Sequence, residues 1–367
     1  MRVAILHDYL NQFGGAERVL GALLEIFPDA HLYTLLHDDK KTRGLFGAAL
    51  EKTSFLDFAF VRNHHRVFIP LMPLAASSLR GTSPYDLVIS STAGYSKGFG
   101  VKAPYHISYC HTPLRYAWET HYLETLPFIP RFISECIGKP IARALRGWDK
   151  RSAGGVNVFL APSTFIAEKI RSYYGRDALV VHPPVDTSLF YPEPLGQTQD
   201  YYLMVGRLLH YKDFDVGIEA CDALRRPLKI VGVGPDAKRL KSLTRSHHIE
   251  FISDAGDDDL RLLYSNAHGL IFPQVEDFGL VAAEAQCCGL PIIAYGHGGG
   301  KEIVEDGETG LLFQEHSAVA LTDALRTFDA MKFNRENISK RGLRFSKEQF
   351  KNTFLKCLSG VGFDHRL

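Results

Sequence analysis

Short β-branched runs alternate with amphipathic helical stretches through both halves of this sequence, and that alternation most narrows what the chain can fold into. It is the sequence form of a parallel sheet covered by helices. In the first half the runs fall at Val3-Leu6, His31-Leu35, Leu87-Ser90, His106-Tyr109, Val156-Leu160 and Leu179-Val181. In the second they fall at Tyr201-Val205, Leu228-Val231, Ile249-Ile252, Gly269-Phe272, Pro291-Tyr295 and Gly310-Phe313. Between the halves lies H-P-P-V-D-T-S-L-F-Y-P-E-P-L-G-Q-T-Q-D, rich in proline and turn formers, which places a linker near Pro183-Asp200. A length of 367 residues also exceeds what one core usually holds, so two domains are expected. Beyond Ser317 only helical pattern remains. There Phe345, Phe350, Phe354, Leu355 and Leu358 are spaced for a buried face, as in a terminal helix that caps either half.

The charge balance excludes one class of partner. With 42 basic and 41 acidic side chains, the net charge of +1 gives no global reason to expect nucleic acid. The six cysteines, Cys110, Cys136, Cys221, Cys287, Cys288 and Cys357, form no C-x-x-C pair and sit in apolar contexts, which predicts reduced thiols and a cytoplasmic protein. The opening apolar run ends at His7 and Asp8, too short for a signal-peptide core, and no stretch approaches 18 apolar residues. The expectation is a chain that is neither secreted nor membrane-spanning.

Three segments carry chemistry. The first strand runs into Gly14-Gly15-Ala16-Glu17-Arg18, where a helix begins; two glycines there either admit an anion to the helix N-terminus or make a plain tight turn. Gly206-Arg207 through Lys212 follows a strand in the second half; Arg207 and Lys212 can neutralise a diphosphate, or form a solvated basic turn. The third is Glu276-Asp277-Phe278-Gly279-Leu280-Val281-Ala282-Ala283-Glu284. Glu276 is expected just before a helix and Glu284 about two turns inside it, with the amides of Phe278, Gly279 and Leu280 between the carboxylates. Carboxylates accept sugar hydroxyls and amides accept phosphate oxygens. The alternative is two surface glutamates, which the apolar surroundings weaken.

The G-G-A-E-R turn, the G-R-x-x-x-x-K turn, E-x7-E followed by C-G-L-P, and H-G-G-G-K-E-I-V-E-D-G-E-T-G together resemble the family-four retaining glycosyltransferases of GT-B fold. The mannosyltransferase branch of bacterial O-antigen and capsule assembly is the nearest likeness. This resemblance implies an α/β fold of two Rossmann-like domains facing each other across a cleft. It places residues 1–185 in an acceptor-side domain, 186–345 in a donor domain, and a helix over 346–367 back on the first. It implies Arg207 and Lys212 on the donor diphosphate, Glu284 on the ribose, Glu276 on the transferred sugar, and amide contacts from Gly14, Gly15, Phe278, Gly279 and Leu280. Gly234 and the stretch at Asp254-Ala255 would flank the base, and His111, in C-H-T-P after a first-half strand, would sit by the donor sugar. Lys212 and Glu284 are expected to project into the cleft rather than the core. Retention is expected by front-face departure and attack, with no cofactor and no metal, because Arg207, Lys212 and helix amides supply the positive charge.

The implied reaction moves a hexose, mannose from GDP-mannose being favoured over UDP-sugars, to a glycan or lipid-linked acceptor in cell-surface polysaccharide synthesis. Asp257-Asp258-Asp259 reads as a complement to a helix dipole in preference to a metal site. The basic and apolar stretch Phe128-Arg151, with Phe68-Pro73 upstream, reads either as contact with the inner face of the plasma membrane or as a core-facing helix with a solvated face. Two other functions compete: an epimerase or hydrolase of the same fold, which would need further first-domain carboxylates such as Glu17 and Glu119, and a non-catalytic sugar-nucleotide-binding scaffold. A nicotinamide dehydrogenase is disfavoured, because G-x-G-x-x-G is missing and no acid ends the second strand.

Overall fold

The computed structural model describes residues 1–119, 131–193, 199–244, 246–253 and 255–360, without the side chains of 131–137. The chain divides into two units, one of Met1–His182 with the segment from Lys351 onward, the other of Pro183–Phe350.

The first unit holds a seven-stranded parallel sheet: β1 (Val3–Leu10), β2 (His31–His37), β3 (Leu50–Thr53), β4 (Leu87–Thr92), β5 (Tyr105–Cys110), β6 (Val158–Ala161) and β7 (Ala178–Val180), in the order β3-β2-β1-β4-β5-β6-β7. Strand β4 is buried along its whole length and β1 nearly so, as central strands covered on both faces must be. The sequence pattern passes over β3. Its four residues, Leu50-Glu51-Lys52-Thr53, carry charge and lie half-exposed at the sheet edge, where no apolar run is required.

The second unit repeats the plan with six parallel strands: β8 (Tyr202–Val205), β9 (Leu228–Val231), β10 (Ile249–Ile252), β11 (Gly269–Phe272), β12 (Ile292–Tyr295) and β13 (Gly310–Phe313), ordered β10-β9-β8-β11-β12-β13. Successive residues face opposite layers. Leu203, Leu270, Phe272 and Ile292 enter one apolar core, whereas Tyr202, Met204, Ile271 and Ile293 enter the other. Burying each large side chain is worth roughly 1.5–3 kcal/mol, so the two layers hold the helices to the sheet.

The proline-rich segment is docked in the second unit where it is described. The Val185 N–H donates to the Phe345 carbonyl (2.7 Å), Lys347 pairs with Asp186 (2.7 Å), and Phe190 is buried against Tyr264. The terminal helix Lys347–Gly360 takes Phe354 onto Phe27 of the first unit and pairs Lys351 with Glu25 (2.7 Å). In both sheets the strand order reverses beside the first strand, at β1/β4 and at β8/β11. Open α/β sheets offer their ligand crevices at the carboxyl ends of the strands flanking such reversals.

Candidate functional site

The loops after β8, β9, β11 and β12 carry the second-half motifs. Past Gly206 the exposed Arg207 precedes Leu208, whose N–H donates to the Val233 carbonyl (2.9 Å) while its own carbonyl accepts from Asp236 (3.1 Å). These bonds stitch the loop after β8 to the loop after β9. Gly234 belongs to the seam: a β-carbon there would lie 2.2 Å from the Leu208 oxygen, so no larger residue fits without moving backbone. Lys212, in a short turn over His210–Lys212, forms an ion pair with Glu276, 17% and 18% exposed respectively. Two motif residues 64 positions apart thus meet.

Glu276 is held in turn by its backbone, the carbonyl accepting the Gly299 N–H at 2.7 Å. Gly279 then caps the helix Leu280–Cys287 with φ of 103°, a left-handed conformation that favours glycine. The helix ladder opens with the amides of Ala282 and Ala283, both donating to the Gly279 carbonyl (3.0 and 3.1 Å), so the amide of Leu280 precedes the first ladder bond. Phe278 is an anchor, its ring buried edge-on against Phe345 at 5.5 Å.

Glu284 departs from its expected setting. The helix begins at Leu280, so Glu284 sits about one turn inside it, and its side chain is 4% exposed. Every residue from Ala282 to Cys287 is buried, so the middle of this helix has no solvent-facing direction. The carboxylate accepts the Tyr264 hydroxyl at 3.3 Å, in keeping with the need of a buried charge for hydrogen-bonding partners. Burial, then the neighbouring Glu284 carboxylate, pushes the Cys287 thiol up to about 12.

Ala255 packs at the margin of the same core, while Asp254 and the stretch from Phe128 to Pro130 lie outside the described residues. Asp257, Asp258 and Asp259 occupy the first turn of the helix Asp257–Asn266, where the Asp259 carboxylate accepts the Gly256 N–H at 3.1 Å. Among the described residues no three histidine, cysteine or acidic side chains converge as metal ligands would.

In the first unit, Gly14 caps the helix Gly15–Ile26, and its N–H donates to Glu17 Oε2 at 2.7 Å. The expected anion contact of the Gly14 amide meets a competitor here, since Glu17 folds back on its own helix start as in a capping box. Gly15 is the first residue of the helix. His111 lies just beyond β5, half-buried, with Nε2 2.8 Å from Ser91 Oγ. Burial, then the neighbouring His7, lowers its pKa to about 3, which keeps the ring neutral at physiological pH. Glu119, named with Glu17 in the epimerase reading, pairs instead with Lys169 (2.6 Å).

Sequence reasoning missed Ser91 and His7, which lead to His111, and Asp8, which fixes the turn after β4. Asp8 Oδ atoms accept the amides of Ala93 (2.7 Å), Tyr95 (3.1 Å) and Ser96 (2.5 Å), fixing the turn after β4. His7 stands opposite Ser91 in the β1/β4 register, Nδ1 to Oγ 3.1 Å. The signal was a polar His-Asp step inside an otherwise apolar strand, which periodicity alone treats as a strand end.

Residues 187–345 match the family described as Glycosyl transferases group 1. An uncharacterized glycosyltransferase of Methanocaldococcus jannaschii is 27% identical over 203 residues, 54% of this chain and 56% of that protein. The GDP-mannose-dependent alpha-(1-6)-phosphatidylinositol monomannoside mannosyltransferase of Mycobacterium tuberculosis is 27% identical over 215 residues, 51% of this chain and 55% of the relative. The chain thus spans about half the length of the curated relatives it matches. Among solved structures, Anabaena Alr3699/HepE in complex with UDP and glucose superposes with a TM-score of 0.69 at 18% identity, covering 98% of this chain and 99% of that one. The family match thus lies within the second unit, in a chain whose two Rossmann-like units have the GT-B fold.

Proposed function

We propose that this protein is a retaining, metal-independent glycosyltransferase that moves a hexose from a nucleotide diphosphate sugar to a glycan or lipid-linked saccharide, with GDP-mannose the first donor to test. The observation that carries the reading is the meeting of Lys212 and Glu276 in the loops that lead to the Gly279 helix cap, with Glu284 one turn further on. A cation, a hydroxyl-accepting carboxylate and amides ahead of the helix ladder are what a sugar diphosphate presents partners for. In this reading Arg207 and Lys212 balance the charge that grows on the leaving diphosphate, Glu276 holds the sugar, Glu284 the ribose, and Gly234 and Ala255 flank the base. The amides of Gly15, Phe278, Gly279 and Leu280 cradle the phosphates, and His111 lies by the sugar.

The mannosyltransferase relative supports mannose and GDP; the UDP and glucose held by the Anabaena protein support a UDP-hexose as the second donor to try. Thermal shift against GDP-, UDP-, ADP- and dTDP-sugars ranks them, because a ligand bound by the native state raises its stability with concentration. Transfer assays with the best donor follow, with product anomer read by NMR. Free sugar released without acceptor would mark a hydrolase, and donor binding without turnover a scaffold.

We also place the enzyme in the cytoplasm, peripheral to the inner membrane face. Among the described residues no helix is long and apolar enough to cross a membrane. Phe58, Phe60, Val67, Leu71 and Leu74 are exposed beside Arg62 and Arg66, a mixture suited to a lipid surface. Co-sedimentation with anionic but not neutral vesicles is the expected result, and no co-sedimentation with either removes this placement.

A further inference from the structure

We propose that Glu17 and His7 are positioning residues that fix the tautomer of His111, leaving its proton on Nε2 and its Nδ1 as an acceptor. Four side chains form a chain through the first unit. Glu17 Oε1 is 3.5 Å from His7 Nε2, His7 Nδ1 is 3.1 Å from Ser91 Oγ, and Ser91 Oγ is 2.8 Å from His111 Nε2. Glu17 and His7 are each 2% exposed and Ser91 is fully buried, so these groups must satisfy one another.

Direction along the chain follows from its first member. An ionised carboxylate only accepts, and the other Glu17 oxygen already accepts the Gly14 N–H. A neutral His7 therefore turns its N–H at Nε2 toward Glu17, which leaves Nδ1 as a lone pair. The Ser91 hydroxyl has to donate to that lone pair. Its oxygen is then the acceptor that faces His111, whose Nε2 donates. The opposite arrangement would set the His7 Nε2 lone pair against the Glu17 carboxylate, both acceptors at 3.5 Å. A neutral histidine has one donor and one acceptor nitrogen, so His111 keeps an acceptor at Nδ1. A sugar hydroxyl can donate to it. The tautomer stands on this geometry alone, and its use in holding a sugar rests on the function proposed above.

The test is nitrogen-15 NMR of histidine-labelled full-length protein at pH 8, where an ordinary imidazole is neutral. The wild type is expected to show protonated Nε2 and unprotonated Nδ1 for both His7 and His111. Glu17→Gln retains an oxygen for the Gly14 N–H but offers His7 an N–H₂ donor, so the whole chain reverses and His111 carries its proton on Nδ1. Ser91→Ala cuts the chain and leaves His111 a mixture of tautomers, a second reading if Glu17→Gln folds poorly. A doubly protonated His7 in the wild type, or a His111 tautomer unchanged in both variants, overturns the proposal. With the tautomer reversed, kcat/KM for the donor sugar should fall about threefold to tenfold, the loss of one neutral hydrogen bond. Reversal without any kinetic change would uphold the relay and remove His111 from the sugar site.

Discussion

Replacing Glu284 by glutamine isolates charge from shape at the most buried of the proposed donor contacts. The side chain is 4% exposed, so alanine would open a void and disturb the packing around Tyr264, whereas glutamine keeps the volume and an oxygen to accept the Tyr264 hydroxyl. That hydrogen bond is long at 3.3 Å, and its loss of charge assistance should cost stability less than about 1 kcal/mol. The donor feels the change differently. A ribose hydroxyl that donates to a buried carboxylate makes a charged hydrogen bond worth about 1.5–3 kcal/mol. Glutamine has a single acceptor oxygen, and with Tyr264 holding it the amide nitrogen faces the ribose, so the charged bond is lost whole; at 1.4 kcal/mol per tenfold, Glu284→Gln should weaken nucleotide-sugar binding about 10- to 150-fold. Titration calorimetry with the donor ranked first by thermal shift reads the affinity, and a melt without ligand reads the fold. Wild-type affinity with an unchanged melt would show that Glu284 touches no ligand, and the donor site would have to be placed elsewhere.

Three further outcomes are expected. Gly234→Ala should lower the melting temperature of the second unit and impair donor binding together, because its β-carbon would lie 2.2 Å from the Leu208 oxygen and must push the two loops apart; an unperturbed melt refutes this. Burial lowers the pKa of His65 and His106 to about 4 and of His111 to about 3, so the unfolded chain takes up protons below about pH 6.5 that the fold refuses. Their contribution is present above pH 6.5 and is lost as pH falls toward 4. The first unit should therefore melt earlier at pH 5 than at pH 7, and the reverse order in calorimetry contradicts it. Transfer should survive EDTA in full, the positive charge coming from Arg207, Lys212 and helix amides; activity lost to chelation and restored by magnesium or manganese would refute the proposed metal independence.

The sequence by itself determined the architecture of two parallel sheets. Twelve of the thirteen strands announce themselves as mainly apolar or β-branched runs, the central β1 and β4 among them because a strand covered on both faces favours such residues, while the edge strand β3 escapes with two charges in four residues. It also determined which residue types stand at the carboxyl ends of strands, where Arg207 and Glu276 stand out from order and spacing and His111 from the family resemblance. Only the tertiary structure decided partnerships. Lys212 meets Glu276 across 64 positions, and His7 meets Ser91 across 84, because parallel strands bring together residues whose separation is set by intervening helices. Burial was decided there too. The apolar neighbours of Glu284 only weaken a surface reading in the sequence, and it becomes a buried carboxylate because the small residues around it let the rest of the unit close over the middle of the helix.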